Sequence, residues 1–298
     1  MSYQAQWGTP HPGCVIILLD QSGSMADTFG GNQVGAGNQK SDMVATLVNG
    51  LLKELITLNT SGTTIKPRID IAVLGYESSS VRSALGGPLS GKDFVSLQEL
   101  NDNPIRMEPR TKKEMDSTGN VIEIPVYFPI WIEPISGGGT PMVQALQRAR
   151  DLAQKWVREY PTKYPQAPHP APYPPVVINV TDGAATDGDI TGPCHDITRI
   201  STPDGNALLY NCHITNISSG TIEFPVSASE LPPDSSNLAT LMFSVSSEIP
   251  ETARNNYEAA TGQKLKPGAH GMIFNGDANS VRQLFKVGTL GAQIDPNK

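Results

Sequence analysis

The sequence predicts an α/β fold: a doubly wound, mostly parallel central sheet flanked by helices, with a β-hairpin insertion. Three observations predict it. Residues 14–19 are a continuous apolar run and residues 175–180 a second one interrupted by Asn179, both rich in β-branched side chains, the pattern of strands buried on both faces. Segments with helical spacing of apolar residues alternate with such runs. Both runs end abruptly at acidic positions, Leu19-Asp20 and Val180-Thr181-Asp182. In doubly wound sheets, ligands bind beyond the carboxyl ends of the strands.

The elements follow in order. Residues 14–19 form the first strand, and residues 28–39, rich in Gly, Asn and Gln without periodicity, form a loop. Met43, Val44, Leu47, Leu51, Leu55 and Leu58 recur at helical spacing after Ser41, a suitable N-cap. Residues 68–76 alternate as a strand, and residues 80–85 return antiparallel through Glu77-Ser78-Ser79. A short helix is expected at 93–100. Residues 101–129 read as an inserted hairpin that turns at Ser117-Thr118-Gly119-Asn120, after which Ile130-Trp131-Ile132 rejoins the sheet. Thr140-Pro141 opens a helix whose buried face is Met142, Ala145, Leu146, Ala149, Leu152, Ala153 and Trp156. Residues 161–175 form a Pro-rich surface loop. Beyond the second apolar strand come a short helix at 196–201, a turn at 203–206 and a strand at 207–214. Helices near 250–261 and 279–287 flank a last strand, Met272-Ile273-Phe274.

Composition bounds the function. A chain of 298 residues suits one α/β domain with insertions, spanning 1–298. Charged residues are 17% and the net charge is -7, with Arg110-Thr111-Lys112-Lys113 as the single basic cluster, so an electrostatic nucleic-acid footprint is excluded. Residues 1–12 carry no apolar stretch, which predicts no signal peptide, and no run is long enough to predict a membrane span. The three cysteines, Cys14, Cys194 and Cys212, are odd in number and widely spaced, which predicts a reducing, cytoplasmic setting.

Three segments carry candidate chemistry: Asp20-Gln21-Ser22-Gly23-Ser24, Gly137-Gly138-Gly139-Thr140-Pro141 and Thr181-Asp182-Gly183. All fall at strand ends and offer hard oxygen donors, as Mg²⁺ requires, with Mn²⁺ or Ca²⁺ as alternatives. The alternate spacing of Asp20, Ser22 and Ser24 can turn three side chains to one side, while Gly23 and the glycine run let backbones approach. A shell of two Ser, one Thr and two carboxylates leaves the metal electrophilic. It can then take an Asp or Glu carboxylate from a partner protein.

These three segments, in this order, are similar to the metal-ion-dependent adhesion site of von Willebrand factor A (VWA) and integrin I domains. The resemblance covers residues 13–193 and assigns the metal site to Asp20, Ser22, Ser24, Thr140 and Asp182. It implies a Rossmann-like VWA fold, metal contacts from the two Ser and the Thr, and Asp residues acting largely through waters. The rim expected to set specificity is 25–39, 77–80 and Met142. Residues 205–211 and 268–275 resemble bacterial intracellular VWA proteins of tellurite-resistance or stress-type operons. That implies a signalling role as adaptor or substrate beside a Ser/Thr protein kinase and a PP2C-type phosphatase.

Other readings are open from residues alone. Cys194-His195 and Cys212-His213 suggest zinc or core cysteines. Asp182, Asp187 and Asp189 suggest a second cation site or solvated loop carboxylates. A metal-dependent hydrolase ranks last: no nucleophile elbow surrounds Ser22 or Ser24, and no general base stands beside the metal positions. Arg148, Arg150, Lys155 and Arg158 read as the solvent face of a helix. The expectation is therefore a binding module, not an enzyme.

Overall fold

The computed structural model describes residues 3–4, 8, 12–28, 39–115, 120–165, 172–214, 220–232 and 237–289. The chain runs β1 (Gly13–Asp20), α1 (Lys40–Leu58), β2 (Thr60–Ser61), β3 (Thr64–Ile65), β4 (Ile69–Glu77), β5 (Ser80–Ser83) and β6 (Val95–Ser96). Next come α2 (Leu97–Asp102), β7 (Arg106–Met115), β8 (Val121–Ile130), α3 (Met142–Lys163), β9 (Val176–Thr181) and α4 (Thr191–Thr198). The remainder is β10 (Ser201–Thr202), β11 (Gly205–Asn206), β12 (Leu208–Ile214), β13 (Ile222–Glu223), α5 (Leu238–Val245), α6 (Glu251–Thr261), β14 (Met272–Gly276) and α7 (Ala278–Thr289).

The main sheet has the order β13-β14-β12-β9-β1-β4-β5, with β6 also paired to β4. β4, β1, β9, β12 and β14 are mutually parallel, and the antiparallel members β5, β6 and β13 lie at its edges. In chain order the parallel strands therefore lie 2-1-3-4-5, and the direction of winding reverses between β1 and β9.

β1 and β9 are buried at every position. Alternation explains why both faces must be covered. Val15, Ile17 and Leu19 pack with α1, α6 and α7 residues such as Val48, Leu52, Tyr257, Leu284 and Phe285. Cys14, Ile16 and Leu18 pack on the other side with Leu146, Leu152 and Trp156 of α3 and Cys194 and Ile197 of α4. Each such side chain contributes about 1.5–3 kcal/mol on burial. The α/β, mostly parallel architecture expected from the sequence is what forms.

Polar side chains close both ends of the sheet. At the amino end, Asp70 accepts from Trp156 Nε1 (2.8 Å), Lys163 Nζ (2.6 Å) and Tyr164 OH (2.6 Å). Toward the carboxyl end, Tyr76 donates to Asn179 (2.9 Å), Asn179 to Asn211 (3.2 Å) and Asn211 to Ser246 (3.0 Å), crossing three strands to reach the residue after α5. Tyr76, Asn179, Asn211 and Ser246 are thus paired with one another, which offsets their desolvation cost.

Several expected boundaries are corrected. α1 is capped by Gln39 and Asp42, not Ser41. Pro141 sits just before α3 rather than as its first residue, and the helix runs on to Lys163 because Trp156, Tyr160 and Tyr164 stack in series over Asp70. Only the rest of the 161–175 loop is therefore non-helical, and 166–171 lie outside the described residues. The helix expected at 93–100 begins at Leu97, because Ser96 and Glu99 cap each other, and Val95–Ser96 pairs with β4. The helix expected at 196–201 instead spans Thr191–Thr198, with Asp189 accepting from the Thr191 N–H at 2.9 Å.

The 101–129 segment contains an antiparallel hairpin, β7 and β8, that forms its own two-stranded sheet; of its expected turn at 117–120, residues 117–119 lie outside the described residues. Trp131 and Ile132 do not rejoin the main sheet. The Asn49 side chain takes the place of a neighbouring strand: its Oδ1 accepts from both backbone N–H groups (2.9 and 3.1 Å), and its Nδ2 donates to the Ile132 carbonyl at 2.9 Å. The loop expected at 28–39 falls mostly in 29–38, also outside the described residues.

Candidate functional site

The reversal point between β1 and β9 is where three loops meet. β1 pairs with β9 up to Leu19 opposite Val180, so Asp20 and Thr181, the last residues of their strands, stand side by side. The Thr181 hydroxyl donates to Asp20 Oδ2 at 2.6 Å, and the Ser22 N–H donates to Asp20 Oδ1 at 2.8 Å. Asp20 is 1% exposed, and both its oxygens are engaged within the loop. Burial pushes its carboxyl above the usual range, the Thr181 and Ser22 hydrogen bonds oppose that, and the neighbouring Asp182 adds to it. The buried phenol of Tyr76 is pushed well up for the same principal reason.

The turn held by Asp20 sets the two serines. Ser22 Oγ and Ser24 Oγ lie 3.2 Å apart, and Ser24 Oγ donates to Asp182 Oδ1 at 2.7 Å. Neighbouring ligands in an octahedral Mg²⁺ shell of about 2.0–2.1 Å radius lie about 3 Å apart. The spacing and hard-oxygen character of these groups fit such an ion. The other Asp182 oxygen accepts from Lys40 Nζ at 2.8 Å.

The glycine loop is docked by its backbone. The Gly23 N–H donates to the Gly138 carbonyl at 2.9 Å, and the Gly137 N–H to the Gln21 carbonyl at 2.8 Å. Gly138 has φ of +66°, and a Cβ there would stand 2.7 Å from Ser78 Cα, so only glycine fits. Thr140 is 6% exposed. Thr186 clamps it from both sides, its hydroxyl accepting from the Thr140 N–H (2.9 Å) and its N–H donating to the Thr140 carbonyl (3.0 Å). Thus Asp20, Ser22, Ser24 and Asp182 touch in a chain, and Thr140 sits on a loop tied to that chain.

The alternatives fare differently. Cys194 and Cys212 belong to cores on opposite faces of the sheet, so they cannot share a zinc ion. Burial pushes the Cys194 thiol up to about 12. Among the described residues, no three His, Cys, Asp or Glu side chains gather about one point. Asp187 accepts from the Val143 and Gln144 N–H groups (both 3.0 Å) at the start of α3, and Asp189 holds Thr191. Those two carboxylates accept from groups at the starts of α3 and α4. Arg148 and Lys155 pair with Asp93 on the solvent side of α3.

Two expected rim residues are core: Met25 is fully buried and Met142 is 1% exposed, because thioethers fill the space beneath the loops. Sequence reasoning missed Lys40 and Thr186. Lys40 had one signal, a cation at a helix start where the dipole disfavours it. Thr186 had none, since its role comes from a contact 46 residues away in sequence.

No protein-family model matches this chain. No curated protein matches it either. Among solved structures, it is similar to proximal thread matrix protein 1 from the mussel byssus, with a TM-score of 0.34 and 16% identity over 68% of this chain and 38% of that one. It is similar to the minor pilin PilB from Streptococcus sanguinis, at 0.33 and 15% over 60% of this chain and 31% of that one. The vWF domain of the type V pili tip protein Mfa5 from Porphyromonas gingivalis gives 0.28 and 16%, over 59% and 39%. The chain spans less than half the length of each of these structures. Among the described residues, no helix is long and apolar enough to cross a membrane.

Proposed function

We propose that this chain is a VWA-type, divalent-metal-dependent protein-binding module. Ser22, Ser24 and Thr140 would hold Mg²⁺, with Asp20 and Asp182 acting largely through waters. The bound ion would supply a Lewis-acidic position for an Asp or Glu carboxylate of a partner protein. The observation that carries this reading is the contact chain of Asp20, Ser22, Ser24 and Asp182 at the point where the sheet reverses its winding.

What this chain's residues do follows from their bonds. Thr181 and the Ser22 N–H occupy both Asp20 oxygens, so Asp20 orients the serine loop and adds charge without needing direct contact. Ser22 and Ser24 present neutral oxygens, so an ion held by them would stay short of negative charge and could take an outside carboxylate. Free buried cysteines at 14, 194 and 212 support a reducing, cytoplasmic setting for the module.

Panning a displayed random-peptide library on the full chain with Mg²⁺, and eluting with EDTA, is the test. Peptides enriched in Asp or Glu are expected, and Ser24→Ala should capture none of them. Equal capture in EDTA, or by Ser24→Ala, would sink the reading.

A further inference from the structure

We infer that Lys40 is a built-in counter-cation of this site: its ammonium holds Asp182 before the divalent ion arrives, competes with that ion, and lowers the site's affinity for it. The inference rests on the metal-site reading given above. Lys40 is the first residue of α1, where the positive end of the helix dipole disfavours a cation. It is nonetheless only 4% exposed. A buried ammonium costs several kcal/mol unless paired. The pairing is with the site itself: Asp182 Oδ2 at 2.8 Å, its side chain fully covered, and Asp27 at 3.7 Å, its side chain 58% exposed.

The charge count gives the consequence. Asp20 and Asp182 bring two carboxylates, and Lys40 cancels one of them. A divalent ion entering beside Ser24 shares Asp182 with a positive charge already in contact with it. Binding therefore requires the ammonium to be exchanged outward, toward Asp27 and solvent. A site tuned in this way binds its metal weakly alone and gains most when a partner carboxylate restores the lost negative charge.

The experiment is calorimetric titration of the EDTA-stripped full chain with Mn²⁺. Lys40→Met keeps the aliphatic stem and removes the charge, and should bind Mn²⁺ about tenfold tighter than the natural chain or more. Equal or weaker binding by Lys40→Met would overturn the inference while leaving the metal site standing. No Mn²⁺ uptake by either protein would overturn both. A second measurement needs no variant: acetic anhydride should acylate Lys40 several-fold faster with saturating Mn²⁺ than with EDTA, as read by peptide mass spectrometry. Equal acylation rates would contradict the exchange.

Discussion

Asn49→Leu is expected to destabilise the fold by about 3 kcal/mol or more, since each buried backbone group left unpaired costs about 1–3 kcal/mol. Asn49 is 2% exposed and serves two N–H groups and one carbonyl of Trp131 and Ile132. Leucine keeps the branched outline and the number of side-chain heavy atoms, so the loss is mainly that of the hydrogen bonds. The effect should reach the site, because residues 131–136 lead directly into the Gly137 loop. Urea unfolding followed by circular dichroism measures it. A loss below about 1 kcal/mol would mean that another group pairs this segment.

Gly138→Ala should leave the protein folded and weaken divalent-ion binding about 10–100-fold, the usual cost of disturbing groups that orient ligands. The added methyl would sit 2.0 Å from Ser78 Oγ and 2.7 Å from Ser78 Cα, at a positive φ, so the loop bearing Thr140 must shift. Gly137→Ala is the internal control: its nearest neighbour would be Glu77 Oε2 at 3.6 Å, and its φ is not positive. Thermal melts in EDTA and in Mg²⁺ separate the two. The natural chain and Gly137→Ala should each gain about 2.7 kcal/mol at a hundredfold excess over Kd. A full gain in Gly138→Ala would show that this loop does not position the site.

The parts legible in sequence were those decided locally or by burial on both faces. The runs ending in Asp20 and Thr181 could be nothing but central strands, and their acidic ends marked where the loops converge. The start of α2 was misread: a helix from residue 93 was expected, whereas the Ser96–Glu99 capping pair sets it at Leu97. What escaped was set by tertiary contact. Trp131 and Ile132 have the composition of a strand, yet a helix side chain pairs them. Met25 and Met142 flank exposed loops in sequence but fill the core beneath them. α5 carries no clear helical stripe, and it follows Asn237, in the left-handed region at φ 54°, rather than a side-chain cap. At the site, the oxygen donors were readable as a spaced pattern. Lys40 showed only as a cation at a helix start, and its partner Asp182, 142 residues away, was not legible.

The most direct measurement is a crystal structure of the full chain grown with Mn²⁺, with anomalous scattering used to locate the ion. The account predicts one strong peak bound by Ser22 Oγ, Ser24 Oγ and Thr140 Oγ1, with Asp20 and Asp182 behind it. A peak elsewhere, or a chain that takes up no Mn²⁺ while these five residues keep their places, would contradict it.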